Sequence, residues 1–270
     1  MRNLLLLAIS LGYVFAQTPA PRDLQLFLLI GQSNMAGRGS IEPQDKEAMP
    51  GILSLNKQME WVPATDPLHF DKPEIAAVGL GRTFAKTLLA ANPTATIGLI
   101  PCAFGGTSLE QWKRGGPLYE DAVKRARFAM KSGKLRGILW HQGEADSGSA
   151  KLAGSYRERW KEFITLLRLD LEAADTPVIV GQLGEFFGHK PGAEPTFADV
   201  VNEQIALIPL QVPRTGFVSS GGLTDKGDQV HFNTASIREF GRRYAYAFLS
   251  LDPTWDHQIG AMRASPVSAR

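Results

Sequence analysis

Only one cysteine, Cys102, occurs in 270 residues, so no internal disulfide can form. The core must hold together without covalent staples, which a chain of this length can do. Cys102 ends the apolar run "IGLIPCA" and reads as a small buried hydrophobe rather than a reactive thiol. An excess of charge is missing too: 29 Lys and Arg stand against 27 Asp and Glu, a formal +2. That balance leaves no electrostatic footprint for nucleic acid or an anionic membrane, and the sequence has no basic stripe, charge run, repeat or low-complexity tract. No Gly-x-x-x-x-Gly-Lys-Ser/Thr run exists to cradle phosphates, and no Gly-x-Ser-x-Gly elbow surrounds Ser33. His141 and Glu144 have a His-x-x-Glu spacing, but no second His or Cys cluster completes a zinc set. Neither metal nor organic cofactor is expected. His69, His189 and His257 fall in loops or the tail and are expected to be solvated.

The longest apolar stretch lies at the start. Arg2, "LLLLAISLGYVF" and Val14-Phe15-Ala16 supply the positive, apolar and small-residue parts of a signal peptide. Residues 1–16 are therefore expected to be removed on export, and 17–270 to form a single domain in a secreted or periplasmic protein. The run is short for a membrane span, a retained N-terminal anchor being the alternative, and no stable membrane association is expected after cleavage. With 44% apolar and 21% charged residues, the composition is that of a globular protein.

Short apolar runs alternate with longer amphipathic ones. Strands are expected at 24–30, 95–103, 136–142, 177–183 and 215–220, and helices in "GLGRTFAKTLLAAN", "PLYEDAVKRARFAMKSG", "SYRERWKEFITLLRLDLEA", "FADVVNEQIALIP" and "TASIREFGRRYAYAFLSL", the last capped by Thr234. The strand runs lack strict alternation, as expected of strands buried on both faces of a parallel sheet. Residues 38–74, rich in Pro, Asp and Glu, read as an irregular surface excursion. Ligands in such sheets bind beyond the carboxyl ends of the strands. The unusual residues collect there: "GQSN" after the first strand, "FGGTS" after the second, "HQGEADS" after the third and "LTDKGDQVHF" after the fifth.

These ends hold the parts of an acyl-transfer site. A serine needs a base, and the base an orienting acid. Ser33 is the candidate nucleophile, and His231, three residues after Asp228, the candidate base. Donors for a developing oxyanion could come from the Ser33 N–H, the Gly105-Gly106 backbone and the Gln142 amide. Trp112 could line a pocket or merely cover one, and Trp140 is expected in the core.

"GQSNMAGRG", "GGTSLEQW", "WHQGEAD" and "DQVH", in this order, resemble the SGNH-hydrolase superfamily. More narrowly they resemble sialate O-acetylesterase-type domains and carbohydrate esterase family six, over roughly residues 24–250. The resemblance implies a flavodoxin-like three-layer α/β/α sandwich with a five-stranded parallel sheet. It implies Ser33 as nucleophile, Gly106 and Gln142 as oxyanion donors beside Ser33, and His231 as base. Gln32 stands where many members have aspartate, and Gln142 where the superfamily name has asparagine. Two carboxylates can then orient His231. Asp228 is favoured because local chain geometry holds the pair together, while Glu144 of "HQGE" is the other candidate. Gln32, Asn34 and Trp112 are candidates for substrate contact.

The implied activity is a secreted serine esterase releasing acetyl groups from acetylated oligo- or polysaccharide, acetylxylan or acetylated sialic acid, through an acyl-enzyme. A lipolytic esterase or thioesterase of the same superfamily, or a carbohydrate-binding protein without catalysis, are the rivals.

Overall fold

The computed structural model describes residues 21–189 and 196–255. The expected signal peptide and His257 lie outside them. Seven strands form one sheet: β1 (Leu24–Gly31), β2 (Ile52–Leu55), β3 (Trp61–Pro63), β4 (Ile97–Pro101), β5 (Gly133–His141), β6 (Val178–Gly181) and β7 (Thr215–Val218). Their spatial order is β3-β2-β4-β1-β5-β6-β7; β3 runs antiparallel to β2, and the other pairings are parallel. The five expected strands are β4, β1, β5, β6 and β7, adjacent in the 2-1-3-4-5 order of a doubly wound fold.

The two extra strands come from the segment expected to be irregular. They are four and three residues long, joined by a turn in which Met59 takes φ 65. Strands that short carry too little pattern to read. β2 is held by its neighbour, Ile52 lying opposite Ile97. Part of the excursion reaches the interior, with Arg38, Asp45, Leu55, Leu68 and His69 all buried.

Seven helices are described: α1 (Ser33–Ala36), α2 (Gly81–Ala91), α3 (Pro117–Ala129), α4 (Ala150–Gly154), α5 (Tyr156–Asp170), α6 (Ala198–Leu207) and α7 (Thr234–Leu251). Leu24, Leu26, Leu28 and Ile30 of β1 pack with α3, α5 and α6, whereas Phe27 and Leu29 pack with α2 and α7. Both faces of the strand are therefore apolar, at about 1.5–3 kcal/mol for each large side chain fully buried. At α7 the cap is Asn233, one residue before the expected Thr234, its side chain accepting from the Ser236 N–H at 2.9 Å. Thr234 instead donates its hydroxyl to the Ser40 carbonyl at 3.0 Å. Among the described residues no helix is long and apolar enough to cross a membrane.

The excursion is tied down by ion pairs. Asp45 takes both bonds from one Arg238 nitrogen, at 2.7 and 2.8 Å, and Arg82 donates to the Gln44 and Glu47 carbonyls. Asp66 lies beside this cluster with Oδ1 buried and unpartnered. Burial pushes its carboxyl up to about 7, against the pull of Arg82. A carboxyl whose pKa rises on folding costs stability as pH rises through the window between the two values. Asp66→Asn should therefore raise Tm at pH 8 and change it little at pH 4. For a domain this size each kcal/mol gained shows as about 2–4 °C by calorimetry. Equal Tm differences at both pH values would contradict the assignment.

Candidate active site

The site starts where β1 meets β5. Gly31 lies opposite His141 in register, at φ 133, and a Cβ on it would fall 2.1 Å from the His141 carbonyl oxygen. Glycine is required there by both conformation and space. The Gln32 N–H donates to that same carbonyl at 2.9 Å, and the chain then turns into α1 with Ser33 as its first residue. The first N–H groups of a helix have no carbonyl within it to bond. Among the described residues, no protein acceptor takes the Ser33 N–H.

The β7–α7 loop brings His231 to the serine. His231 Nε2 lies 3.0 Å from Ser33 Oγ, and Nδ1 lies 2.7 Å from Asp228 Oδ2. An ionised carboxylate only accepts, so Nδ1 carries the proton and the Nε2 lone pair faces the hydroxyl. Asp228 Oδ1 accepts from the N–H groups of Val230 at 2.9 Å and His231 at 2.8 Å. Partial burial pushes this carboxyl up, but the His231 N–H and imidazole and the Val230 N–H together hold it down at about 2.

The loop after β4 closes the third side. A methyl on Gly105 would lie 3.5 Å from Ser33 Cβ and 2.6 Å from Arg38 Nη2, so the loop is packed against the serine. The Gly105 N–H donates to Asp71 Oδ2 at 2.9 Å, and Arg38 donates to the same oxygen at 2.7 Å and to the Gly37 carbonyl at 2.7 Å. Burial raises the Asp71 carboxyl, yet Arg38 and the Gly105 N–H outweigh it and keep it below the usual range. Gly106 follows at φ 81, and among the described residues no protein acceptor takes its N–H. A serine hydroxyl and an imidazole acceptor thus meet, with the Gly105-Gly106 turn packed beside the serine.

Other expected site residues are placed differently. Gln142 is fully buried, and its amide donates to the Thr107 carbonyl at 2.9 Å and to Asp146 Oδ2 at 2.7 Å. With both hydrogens committed, it braces the loop after β4 and has no free N–H to offer an oxyanion. Trp112 is likewise fully buried, its Nε1 on Thr107 Oγ1 and its ring edge-on to Trp140, so it makes no substrate contact. Asn34 is buried with Nδ2 donating to Glu144 and the Val230 carbonyl and Oδ1 accepting from Phe232, which removes it from substrate contact too. Gln32, 3% exposed, accepts through Oε1 at 3.5 and 3.4 Å from the Gly143 and Ala145 N–H groups.

Glu144 does not touch His231. Its Oε1 accepts from Asn34 at 2.7 Å and lies 3.6 Å from His141 Nε2. Burial raises its carboxyl, but His141 and Asn34 outweigh that and keep it low. The expectation of a solvated His69 fails: it is buried and accepts from the Ala103 N–H at 3.3 Å, and burial pushes it down to about 3. Burial pushes the partly exposed Cys102 thiol up to about 12, which leaves no thiolate nucleophile at neutral pH. No group of three or more His, Cys, Asp or Glu able to hold a metal occurs among the described residues.

Asp71 and Asp146 were missed by sequence reasoning. Asp146 closes the quoted "HQGEAD" run, where its place in the motif was a usable signal; Asp71 sits in the segment read as irregular and had none.

The family model for carbohydrate esterases, sialic acid-specific acetylesterase (SASA), matches residues 23–250. The chain belongs to the SASA family. Membership makes it a carbohydrate esterase acting on O-acetyl groups, with an SGNH-type fold. A probable carbohydrate esterase of Arabidopsis thaliana is 34% identical over 253 residues, covering 87% of this chain and 93% of that one. The X-ray structure of a protein from Arabidopsis thaliana has a TM-score of 0.77 at 32% identity, covering 84% of this chain and 98% of that one. A carbohydrate acetylesterase of Xanthomonas citri has a TM-score of 0.65 at 22% identity, covering 85% of this chain and 57% of that one. At that identity the likeness speaks to the fold alone.

Because Gln142 braces the loop, Gln142→Ala should leave the Thr107 carbonyl and Asp146 short of a donor, at about 1–3 kcal/mol. Tm and kcat should fall together. A fall in kcat of roughly 10²–10³ with an unchanged melting curve would instead mark a direct oxyanion donor.

Proposed function

We propose that this esterase uses Ser33 as nucleophile, His231 as general base and acid, and Asp228 as the orienting acid. The observation that carries this reading is the continuous chain from Asp228 through His231 to Ser33 Oγ, with contacts of 2.7 and 3.0 Å. Ser33 Oγ attacks the acetyl carbonyl carbon while His231 Nε2 takes its proton. The N–H groups of Ser33 and Gly106 bond to the oxygen as it becomes an oxyanion. Collapse breaks the bond to the sugar oxygen, which leaves with the proton from Nε2. Water then attacks acetyl-Ser33, giving its proton to Nε2, and acetate departs as Ser33 regains its hydrogen. Asp228 stays ionised throughout, bonding to Nδ1–H and stabilising the imidazolium.

The substrate we propose is an O-acetylated sugar, with acetylated sialic acid, named in the family description, ahead of acetylxylan. The close packing of Gly105 against Ser33 supports a small acyl group over a fatty one. Export is part of the same reading and rests on the leader-like residues 1–16.

Acetate release from acetylated sialic acid, acetylxylan and p-nitrophenyl acetate, against hydrolysis of p-nitrophenyl palmitate, tests the substrate class. Faster cleavage of palmitate would reverse it. Ser33→Ala should abolish acetate release and leave the melting curve unchanged. Asp228→Asn should cost up to about 10⁴ in kcat, the loss expected when the imidazole tautomer is no longer held. A variant at Asp228 within tenfold of wild type would show that another group orients His231.

A further inference from the structure

The mechanism above leaves Glu144 without a part, although it is buried a short way from the reacting groups. Its carboxylate accepts a hydrogen bond from Asn34 Nδ2 through Oε1 at 2.7 Å, the same oxygen lying 3.6 Å from His141 Nε2. The other hydrogen of that amide goes to the Val230 carbonyl at 3.0 Å, and Asn34 Oδ1 accepts from the Phe232 N–H at 3.2 Å. Val230 and Phe232 are the two neighbours of His231. One planar side chain, on the residue after the nucleophile, thus grips the backbone on both sides of the base, 196 and 198 residues away.

We infer that Asn34 and Glu144 form a clamp that positions His231 over Ser33, Glu144 acting through Asn34 and never on the imidazole. This rests on His231 being the base. The clamp works because an amide offers a donor edge and an acceptor edge in one plane. Turned over, Asn34 would set its NH₂ against the Phe232 N–H and its oxygen against two acceptors. The Glu144 carboxylate, acceptor only, bars that flip. Phe232 is itself anchored, its buried ring packed against Phe186 at 5.0 Å and Phe240 at 5.1 Å, so the far side of the clamp is rigid. Both are positioning residues, and they join "GQSN" to "HQGE" physically.

A positioning role and a charge role part at Glu144→Gln. A glutamine keeps an acceptor oxygen for Asn34 and loses the charge. Steady-state kinetics on p-nitrophenyl acetate would compare Asn34→Ala, Glu144→Ala, Glu144→Gln and the double alanine variant, with melting curves for each. Misplacing the base by about 1 Å costs up to about 10²-fold, so Asn34→Ala and Glu144→Ala should each lower kcat by roughly 10–100-fold with KM within about twofold. The double variant should lose no more than either alone, and Glu144→Gln should stay within about fivefold of wild type. Wild-type kcat for Asn34→Ala, additive losses in the double variant, or a glutamine as damaging as alanine would each overturn the clamp. If Glu144→Ala does not fold, Asn34→Ala and Glu144→Gln decide alone. Ser33→Ala and His231→Ala run alongside: activity in those two would overturn the base itself, whereas their inactivity beside an unaffected Asn34→Ala would overturn only the clamp.

Discussion

The arrangement depends on how closely β1 approaches β5 at their carboxyl ends. Gly31 lies against the His141 carbonyl with no room for a side chain, and the Gln32 N–H takes that carbonyl as acceptor. This contact holds the two strand tips in one register. It sets the residues that follow, Gln32 to Asn34 on one strand and Gln142 to Asp146 on the other, side by side. A bulkier residue at 31 would part the strands, and the serine turn would lose its reference point.

Loops beyond the strand ends carry backbone groups with no ladder partner, and each must find one. Here buried carboxylates take two such groups in the loop after β4 and tie it to its neighbours. Asp71 joins the Gly105 N–H to Arg38, linking the loop after β4 to the segment that follows the serine turn. Asp146 takes the Leu109 N–H at 2.8 Å, the Gln142 amide at 2.7 Å and Arg159 at 2.7 Å, which supports the same loop from behind. Glu144 takes Asn34. Bonds to ionised acceptors are about twice as strong as neutral ones, and a buried carboxylate left with no donor is costly, so each acid enforces the loop geometry that satisfies it. The preorganisation expected of an acyl-transfer site comes from this shell.

What was legible in the sequence follows from the same division. β1, β4, β5, β6 and β7 were readable because strands buried on both faces need unbroken apolar runs. β2 and β3 were not, since β2 is held by β4, and β3 by β2, rather than by any pattern of their own. Motif and spacing singled out Ser33, Asp228 and His231, which the structure links in one hydrogen-bonded chain, and Gly106, which follows the glycine packed on Ser33. They could not say which way an amide points. Gln142 and Asn34 are polar residues at strand ends, and in one dimension an amide facing substrate looks the same as one facing a buried carbonyl. Trp112 was ambiguous for a related reason: its burial is set by Trp140 and Phe163, which lie 28 and 51 positions away in the chain.

The two acids near His231 show how local and distant contacts divide the task of holding it. Asp228 lies on the same turn and is partly exposed, so its Coulombic hold on an imidazolium is weakened by solvent. Geometry makes up for this: Oδ1 is fixed by two N–H groups of its own turn, which leaves Oδ2 aimed at Nδ1 with little entropy to lose. That turn sets the tautomer and tilt of the ring, but it cannot set how far the ring stands from a serine at the far-off start of α1. The distance needs a tie between the two segments, and Asn34 supplies it from the residue next to the serine. A partly exposed acid with local bonds and a buried acid with a long-range partner are therefore complementary. In the proposed mechanism the first orients the ring through its Nδ1 proton, and the second, through Asn34, holds the 3.0 Å separation between Nε2 and the Ser33 hydroxyl.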